Sequence, residues 1–351
     1  MNFFYPNLGL SLADSLDDAP ALQPFKVTHS APARVNRHLS WGLGRIGVPS
    51  LWKLGLTGRG IVVGHLDTGI DGTHPALGPA IAAFAVFDAA GVIDPHAAPF
   101  DPIGHGTQTA GIIAARATPE WKVGVAPGAR LASALVIDGG DAAPVRVLAG
   151  IDWAVGQGVR VLNLSLGTTN PAAAFGPVID RVRALGILPI IAAGNDGRNI
   201  SRAPANYENA VSVGAINPLG RVEKTSSSQR MPRPHDPRVP DVVLPGASIV
   251  TTDLHGLYRR VGGTSIAAPH LAGLAALLWE ARPEASVDEM ESALFLSCRL
   301  PKNAPSFRAN RGVPNAIRAL HLLETGEAAQ RIFAHPSLAR SHDGRRAVNG
   351  L

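Results

Sequence analysis

The feature that most constrains the fold is a repeated alternation of short apolar runs with longer helical patterns, from Ile61 onward. The runs have the length of strands, and their continuous apolar character is typical of strands buried in a parallel sheet. Helices that connect parallel strands cover both faces of such a sheet. We therefore predict an α/β fold of three layers, with a mostly parallel β-sheet flanked by helices. Strands are predicted over Ile61–Leu66, Arg130–Val136, Val159–Leu164, Leu188–Ala192 and Val211–Ala215; helices are predicted over Pro49–Leu54, Thr107–Arg116, Ala143–Gln157, Ala174–Leu185, Ser265–Glu280, Met290–Leu300 and Val313–Leu323.

Composition supports one large globular unit and argues against two other classes of protein. The chain has 351 residues, 46% of them hydrophobic and 17% charged, which is ample material for a single core. The net charge is +5, but no Lys or Arg run alternates with aromatic residues, so nucleic-acid binding is not expected. No apolar stretch reaches the roughly 18 residues that a membrane-spanning helix needs, so no membrane span is expected.

Two observations bear on the cellular compartment. Cys298 is the single cysteine, so no intramolecular disulfide can form, which is compatible with a reducing compartment. Residues 1–20 contain no Lys or Arg, and Pro6 and three Asp residues interrupt their apolar residues, unlike a secretory signal. We expect a cytoplasmic protein, or a secreted one if a leader has been removed.

The stretch from Gly262 to His270 combines a tight turn with the start of a buried helix. A glycine pair precedes Thr264 and Ser265, and an apolar run follows them. Ser265 therefore falls at or next to a helix N-terminus, where unpaired backbone N–H groups carry a positive partial charge. A serine there is either an N-cap or a nucleophile whose developing anion the helix end stabilises, and this stretch alone does not decide between the two.

Two other stretches favour the nucleophile. Asp67 ends an apolar strand and precedes Gly69, while His105 lies between glycines at the start of an apolar helix. In a sheet of this kind, active sites lie beyond the carboxyl ends of the strands. Asp, His and Ser are the three parts of a charge-oriented nucleophile: the carboxylate orients the imidazole, which takes the serine proton and returns it to the leaving amine.

These motifs resemble those of the subtilisin-like serine proteases, or subtilases, over roughly residues 37–323. The resemblance is nearest the intracellular type, and it implies a subtilisin-like fold. It implies a serine endopeptidase that works through an acyl-enzyme intermediate on a protein or peptide bound in extended form. The matching motifs, in the family order, are Asp67-Thr68-Gly69, His105-Gly106-Thr107, Asn163-Leu164-Ser165-Leu166-Gly167, Ala192-Ala193-Gly194-Asn195 and Gly263-Thr264-Ser265 with Ala268-Pro269-His270.

The resemblance also implies the roles of particular residues. Asp67, His105 and Ser265 correspond to the catalytic triad, and Asn195 corresponds to the asparagine of the oxyanion hole. Substrate-binding positions are implied at Gly139, Leu164, Ser165, Leu166, Gly167, Ala193, Gly194 and Thr264.

The charges near this cleft leave its preference open. Asp138 and Asp141 would favour basic substrate side chains, whereas Arg198 and Arg202 would favour acidic ones. A solvated role is the alternative for each of these residues.

No metal or other cofactor is expected. His65, His74 and His270 are not at the spacing of a zinc site. Many subtilases bind calcium, but Ala76 stands where the family has a carboxylate. The loop Arg116–Lys122 is also poor in the oxygen ligands that calcium prefers.

Three segments are predicted: an N-terminal extension (1–36), a catalytic domain (37–323) and a solvated C-terminal tail (324–351). The extension is either a tether whose Phe3-Phe4-Tyr5-Pro6 packs on the body, or an autoinhibitory segment in the substrate cleft that is later processed, as in a zymogen. The biological role stays open between broad protein turnover and maturation of one dedicated precursor. A catalytically silent scaffold on the same fold is the alternative from another class.

Overall fold

The structure, a computed structural model, describes residues 3–12, 21–26, 28–30, 38–139, 143–169 and 174–334. The N-terminal part of the chain contributes short strands that pair with several parts of the molecule. They are β1 (Phe3–Tyr5), β2 (Leu10–Leu12), β3 (Gln23–Pro24), β4 (Thr28–Ser30) and β5 (His38–Leu39).

An eight-stranded sheet forms the centre of the molecule, in the order β17-β14-β13-β11-β6-β10-β7-β8. All of its neighbouring strands run parallel except the β7–β8 edge pair. The remaining strands are β6 (Val62–Asp67), β7 (Ile81–Phe87), β8 (Ile93–Asp94), β9 (Trp121–Lys122), β10 (Arg130–Leu135), β11 (Val161–Leu164), β12 (Leu166–Gly167), β13 (Leu188–Ala192), β14 (Val211–Ile216), β15 (Gln229–Arg230), β16 (Arg238–Val239), β17 (Val242–Pro245), β18 (Ile249–Thr252) and β19 (Tyr258–Gly262).

Helices cover both faces of this sheet, which confirms the predicted three-layer α/β fold. They are α1 (Trp41–Ile46), α2 (Val48–Lys53), α3 (His105–Ala114), α4 (Pro144–Gly156), α5 (Phe175–Ala184), α6 (Thr264–Ala281), α7 (Val287–Leu296), α8 (Ser306–Ala309), α9 (Ala316–Glu324) and α10 (Glu327–Ala334). Helices α3 and α6 pack on one face, and α4 and α5 on the other, so the molecule has two hydrophobic clusters, one on each side of the sheet.

Helix α6 is the longest helix of the described residues, and it is almost entirely buried. Every residue from Thr264 to Trp279 is buried, because this helix lies between the sheet and α3. It has no polar face, as expected of a helix inside a large core. Its first turn, which carries Ser265, therefore has a fixed position relative to the sheet.

The predicted elements lie close to the observed ones, and three strands of the main sheet were not predicted. Strands β7 and β8 extend the sheet on one side of the predicted strands, and β17 extends it on the other. A short apolar segment does not by its pattern distinguish a strand from a loop that packs on the core.

The C-terminal segment departs from the predicted solvated tail at its beginning. Helix α10 packs against α7 and α9, and Ala328 is buried. Residues 335–351, the rest of that tail, lie outside the described residues. In the described part of the chain, none of the helices has the length and apolar character to cross a bilayer.

Candidate active site

Asp67 and His105 form a buried, hydrogen-bonded pair at the carboxyl edge of the sheet. Asp67 is the last residue of β6, and His105 is the first residue of α3. His105 Nδ1 lies 2.6 Å from Asp67 Oδ1. A carboxylate can only accept, so Nδ1 carries the proton and the neutral imidazole has its basic nitrogen at Nε2.

The pair shifts the pKa of both groups. Burial alone would raise the pKa of the Asp67 carboxyl, but the adjacent His105 outweighs it and holds that pKa below its ordinary value. Burial lowers the pKa of His105. The carboxylates of Asp67 and Asp101 and the nearby Phe25 backbone carbonyl outweigh burial and hold the pKa of His105 above its ordinary value.

Two glycines let the loops that carry this pair approach each other. A β-carbon on Gly106 would collide with the carbonyl oxygen of Gly69. Gly69 has a φ of 112°, which side chains rarely adopt, and its own β-carbon would collide with the Phe100 carbonyl. The Asp-Thr-Gly and His-Gly-Thr motifs thus require glycine for steric reasons.

Asp101 connects the Asp67 loop to the His105 helix, and sequence reasoning missed it. Its carboxylate accepts hydrogen bonds from the Thr68 hydroxyl (2.9 Å), the Thr107 backbone N–H (2.8 Å) and the Thr107 hydroxyl (2.7 Å). The Thr68 hydroxyl in turn accepts from the Gly106 N–H at 2.8 Å. Asp101 lies in an irregular loop without a recognisable motif, so its position gave no signal in the sequence.

A second series of hydrogen bonds reaches the Asp67 carboxylate through Thr109. Thr109 Oγ1 lies 3.1 Å from Asp67 Oδ2, 3.0 Å from the Gly106 carbonyl oxygen and 2.8 Å from His65 Nε2. The single Thr109 proton goes to one of the two acceptor oxygens, so His65 Nε2 is the donor to Thr109. Ser133 Oγ lies 2.9 Å from His65 Nδ1 and donates to it. By residue type His65 is a candidate metal ligand; in the structure it instead belongs to this series of hydrogen bonds.

Ser265 lies in the first turn of α6 and is fully buried. Its Oγ donates to the Ser165 carbonyl oxygen at 3.4 Å, and Ser165 Oγ donates to the Ser265 carbonyl oxygen at 3.1 Å. His105 Nε2 is buried, and no group in the described part of the chain meets hydrogen-bond geometry with it. The serine and the basic nitrogen are therefore not hydrogen-bonded to each other in this structure.

Thr264 orients the side chain of Asn195. The Asn195 Oδ1 accepts from the Thr264 backbone N–H at 2.9 Å and from its hydroxyl at 3.0 Å. The amide nitrogen is then directed toward the groove between β12 and β19, which we call the cleft. There Asn195 Nδ2 donates to the Lys26 carbonyl oxygen at 3.1 Å.

The N-terminal extension lies in this cleft as an extended strand. Strand β3 pairs antiparallel with β12, with Pro24 opposite Leu166 and Gln23 opposite Gly167. Further along the extension, β4 pairs antiparallel with β19, the strand that precedes α6 and Ser265. The extension therefore contacts strand edges on both sides of Ser265, in the manner of a peptide that adds a strand to a sheet.

Phe25 occupies a pocket beside Ser165 and Gly167. It is 3% exposed, and its N–H donates to the Ser165 carbonyl oxygen at 3.5 Å. Its ring packs on Gly167, and the Arg202 guanidinium lies over it at 5.5 Å. Asp196 binds Arg202 through two hydrogen bonds of 2.7 Å, which balances the arginine charge and leaves its flat face toward the ring.

The residues around this pocket indicate which substrate side chains the cleft accepts, a question that the sequence left open. Arg202 is paired with Asp196, and the Arg198 guanidinium lies over the exposed ring of Phe307 at 4.9 Å. Asp141 and Gly140 lie outside the described residues. The ion-paired Arg202 thus presents a surface that accommodates an aromatic side chain.

The structure brings most of the predicted site residues together. Ser165, Leu166, Gly167 and Asn195 contact the extension directly, and Thr264 acts through Asn195. Leu164 is buried in β11. Ala193 accepts the Arg202 N–H, and Gly194 donates its N–H to Thr264 Oγ1. Gly139, at φ 63°, has nothing within 4 Å of the position of a β-carbon.

Comparison with known proteins agrees with this geometry. A sequence profile of the subtilase family matches residues 58–315. The chain is 34% identical over 282 residues to M-protease of Shouchella clausii (strain KSM-K16), covering 79% of this chain and 70% of the relative. It is 35% identical over 244 residues to Subtilisin Savinase of Lederbergia lenta, covering 69% of this chain and 85% of the relative. It is also 35% identical over 249 residues to Subtilisin E of Bacillus subtilis (strain 168), covering 69% of this chain and 61% of the relative. The chain belongs to the subtilase family and is a serine endopeptidase.

Proposed function

We propose that the serine endopeptidase activity of this chain is carried by Asp67, His105 and Ser265 acting as one unit, with Asn195 as the oxyanion donor. The observation that carries the proposal is the 2.6 Å contact between Asp67 and His105 beside the buried first turn of α6. A serine that only capped a helix would not require a paired aspartate and histidine beside it. A carboxylate that was only solvated would not be buried against a histidine.

Each residue has one task in the reaction. His105 Nε2 takes the Ser265 hydroxyl proton as Oγ bonds to the carbonyl carbon, and the Asp67 carboxylate stabilises the resulting imidazolium. The C–N bond then breaks, and the imidazolium returns the proton to the leaving amine, which leaves an acyl-enzyme. Water repeats the sequence and releases the acid, so Ser265 is regenerated.

Charge develops on the carbonyl oxygen of the substrate during both steps. The Asn195 Nδ2–H and the Ser265 backbone N–H are the proposed donors to this oxygen. The hydrogen bond from Asn195 to the Lys26 carbonyl supports this role, because it has the partner and the direction that a substrate carbonyl would require. A pre-oriented donor is more effective than water since it needs no reorganisation as the charge forms.

The assembled nucleophile can be tested with a serine-directed fluorophosphonate and intact mass spectrometry. We expect one adduct on the full chain and none on Ser265→Ala. Ser248→Ala, which changes a serine outside the site, serves as the matched control and should still be labelled. An adduct that persists in Ser265→Ala, or none on any active preparation, would exclude this triad.

We further propose that the N-terminal extension inhibits the enzyme. Residues Gln23–Lys26 occupy the strand edge, the pocket and the oxyanion donor that a substrate would use. The Ser265 hydroxyl is bonded to Ser165 rather than to His105, which supports an inactive arrangement in this state. The extension is then released or processed when the enzyme becomes active, as in a zymogen.

Replacing Phe25 tests the inhibition in the full chain. Burial of a phenylalanine side chain contributes roughly 1.5–3 kcal/mol, so Phe25→Ser should weaken occupation of the cleft. We expect fluorophosphonate labelling at least about tenfold faster than in the wild type. Phe307→Ser, at a ring that is 56% exposed, is the matched control and should label at the wild-type rate. Equal rates for all three chains would refute the inhibition.

We propose broad protein turnover as the biological role. The hydrogen-bonded contacts of the extension with Ser165 and β12 are mainly with backbone atoms, and such contacts accept many sequences. A library of unrelated peptides tests this with Phe25→Ser: cleavage of many peptides is expected. Cleavage of one cognate sequence alone would favour maturation of a dedicated precursor.

We propose that the enzyme needs no metal cofactor, calcium included. Ala76 stands at the position of the family's carboxylate, and the described residues hold no group of three His, Cys, Asp or Glu that could bind a metal ion. The Arg116 guanidinium instead binds backbone carbonyls of neighbouring segments.

For the compartment, we propose the cytoplasm, with the lone, half-buried Cys298 as support. Fractionation of source cells with activity-based labelling tests this, and labelling found only outside the cells would contradict it.

A further inference from the structure

A cavity beside the cleft shares Asn195 with it. The cavity has a volume of about 830 Å³, and its lining residues include Asn195, Asp196, Arg198, Lys224, Thr225 and Arg308. Ser165, Leu166 and Gly167, which contact the extension, are not among the described residues that line it. This cavity is therefore a different pocket from the one that holds Phe25.

Backbone hydrogen bonds hold together the two loops that form its walls. The Gly197 N–H donates to the Thr225 carbonyl oxygen at 2.8 Å, and the Ser228 N–H donates to the Gly197 carbonyl oxygen at 3.0 Å. The Ser227 N–H also donates to the Gly194 carbonyl oxygen at 2.8 Å. Because Gly194 and Gly197 flank Asn195 in the same loop, the cavity has a fixed position relative to the proposed oxyanion donor.

The charges that line the cavity are mostly positive. Its lining contains three cationic side chains, those of Arg198, Lys224 and Arg308, and one carboxylate, that of Asp196. Arg202 Nε and Nη2 each donate to the Asp196 carboxylate at 2.7 Å, so the charge of Asp196 is already balanced by a residue of the Phe25 pocket. The cavity therefore has an excess of positive charge.

Arg308 is nearly buried and has a fixed position. Its Nε donates to Ser228 Oγ at 3.2 Å, and its Nη2 donates to the carbonyl oxygens of Glu223, at 3.1 Å, and Ser226. In the part of the chain that the structure describes, its Nη1 has no acceptor. Burial, and next the like charge of Arg198, lower the pKa of Arg308, although the Glu223 carboxylate opposes them. A bound anion would reduce the repulsion between the two guanidinium groups.

Arg198 and Lys224 are exposed cations that form no ion pair with the described residues. The Arg198 guanidinium lies over the ring of Phe307 at 4.9 Å, a contact that orients the group and leaves its charge intact. A guanidinium binds a carboxylate through two parallel hydrogen bonds, and an ammonium group adds a further positive charge. The side chains that this cavity would bind best are therefore those of Asp and Glu.

The shared Asn195 indicates which part of a substrate reaches the cavity. The extension runs from Phe25, in its own pocket, to Lys26, whose carbonyl oxygen accepts from Asn195. In the proposed mechanism, the carbonyl bound by Asn195 is the one that the serine attacks. Residues before that carbonyl contact β12 and the Phe25 pocket, so the cavity is available to residues that follow the scissile bond.

We propose that the cavity formed by Arg198, Lys224 and Arg308 selects substrates with an acidic residue shortly after the scissile bond. We call it the cationic pocket. This inference rests on the proposed roles of Ser265 and Asn195, and it names a substrate class that those roles leave open. The favoured pattern is an aromatic residue that enters the Phe25 pocket, followed by Asp or Glu within the next few positions.

Cleavage of matched peptides by the full-length Phe25→Ser chain tests this preference. Internally quenched peptides carry a phenylalanine before the scissile bond and Glu, Gln or Lys at one of the next three positions, and mass spectrometry identifies the bond that is cleaved. At one of these positions we expect kcat/KM to be at least about tenfold higher for Glu than for Gln, and lowest for Lys. The difference should shrink in high salt, because Arg198 and Lys224 are exposed to solvent.

Two results would overturn the cationic pocket. One is an equal kcat/KM for the Glu and Gln peptides at all three positions. The other is a preference for Glu that appears only at positions before the scissile bond. Because each comparison is between two peptides cleaved by the same chain, it does not depend on whether the extension inhibits.

Variants of the pocket assign the preference to its residues. Arg198→Gln combined with Lys224→Gln should abolish the preference for Glu over Gln, and Lys224→Glu should favour the Lys peptide over the Glu peptide. Lys53→Gln combined with Arg318→Gln is the matched control, since it removes two exposed charges outside the pocket and should keep the preference. An unchanged preference in the first double variant would refute the assignment.

Ser265→Ala separates failure of this inference from failure of the proposal on which it rests. If Ser265→Ala abolishes cleavage of every peptide but the active chain cleaves the Glu and Gln peptides equally, the nucleophile stands and the cationic pocket is refuted. If the Ser265→Ala chain still cleaves the peptides, the proposed mechanism fails, and the position assigned to the cationic pocket fails with it.

Discussion

The amide group of Asn195 is held by the backbone of Thr264, the residue immediately before the proposed nucleophile Ser265. Asn195 Oδ1 accepts the Thr264 N–H at 2.9 Å, so the amide nitrogen is the end that is presented to the cleft. The two residues are far apart in sequence, and the contact links the loop after β13 to the first turn of α6. The proposed oxyanion donor and the proposed nucleophile are thereby positioned as one unit.

Removing the Asn195 amide should lower turnover and leave substrate affinity nearly unchanged. We expect Asn195→Ala to reduce kcat by roughly 10²–10³, since an oxyanion donor in proteases of this class contributes about 3–4 kcal/mol to the transition state. Steady-state kinetics on the Phe25→Ser chain measure it, with exposed Asn303→Ala as the control. An unchanged kcat would remove Asn195 from the mechanism.

Asp101 should position His105 and also tune its basicity. Its negative charge raises the pKa of His105, and its hydrogen bonds connect Thr68 and Thr107. His105 must be neutral to accept the serine proton. Asp101→Asn should therefore lower kcat and also shift the acid limb of the kcat/KM profile to lower pH. Asp94→Asn, at an exposed carboxylate, should change neither; a loss of kcat with an unmoved acid limb would leave Asp101 with a purely structural role.

His270 should make the protein less stable in acid. Burial lowers its pKa to about 4, and its Nδ1 lies 2.9 Å from the Ile266 carbonyl oxygen. Between the ordinary pKa near 6.5 and this value, the unfolded chain binds a proton that the folded chain does not, so stability falls as pH falls. The loss amounts to about 3 kcal/mol at pH 4.

Denaturant unfolding from pH 7 to pH 4 measures this loss on the Ser265→Ala chain, which does not digest itself. His270→Gln should reduce the pH dependence across this range even if it lowers stability at pH 7. The exposed His96→Gln is the control. The same slope in His270→Gln as in its parent would show that His270 is not responsible.

Arg116 should stabilise its surroundings without the help of a metal ion. Its guanidinium donates to the carbonyl oxygens of Pro127, Ala129 (2.8 Å) and Pro79 (3.2 Å). Of these three acceptors Ala129 is buried, and a buried carbonyl without a donor costs about 1–3 kcal/mol, so Arg116→Gln should lower Tm by a few degrees. Arg130→Gln, at an exposed arginine, should lower it less.

Treatment with a chelator tests directly whether the protein is stable without calcium. Because no calcium is needed in our proposal, EDTA should leave the Tm of the Ser265→Ala chain unchanged. A fall in Tm with EDTA that added calcium reverses would contradict the proposal.

Local patterns in the sequence predict much of the fold and the central chemistry. Apolar runs next to helical patterns predict a parallel sheet, and the Asp67, His105 and Ser265 motifs each contain the glycines that their tight backbone requires. Asp101 and Thr109 could not be predicted in the same way. Their importance depends on distances between segments that no local pattern records.

The N-terminal extension shows most clearly the difference between what the sequence predicts and what only the structure shows. The residue types alone raised both a packed tether and a segment in the cleft, and the structure contains both contacts: residues 3–12 dock on α4 and α5, and residues 23–26 lie in the cleft. The sequence by itself determined the protease family, the sheet and the candidate catalytic residues, because those depend on periodicity and on short motifs. Only the tertiary structure decided where the extension binds, how Asn195 points and what Arg202 faces, because these depend on which partners the folded chain brings within hydrogen-bond distance.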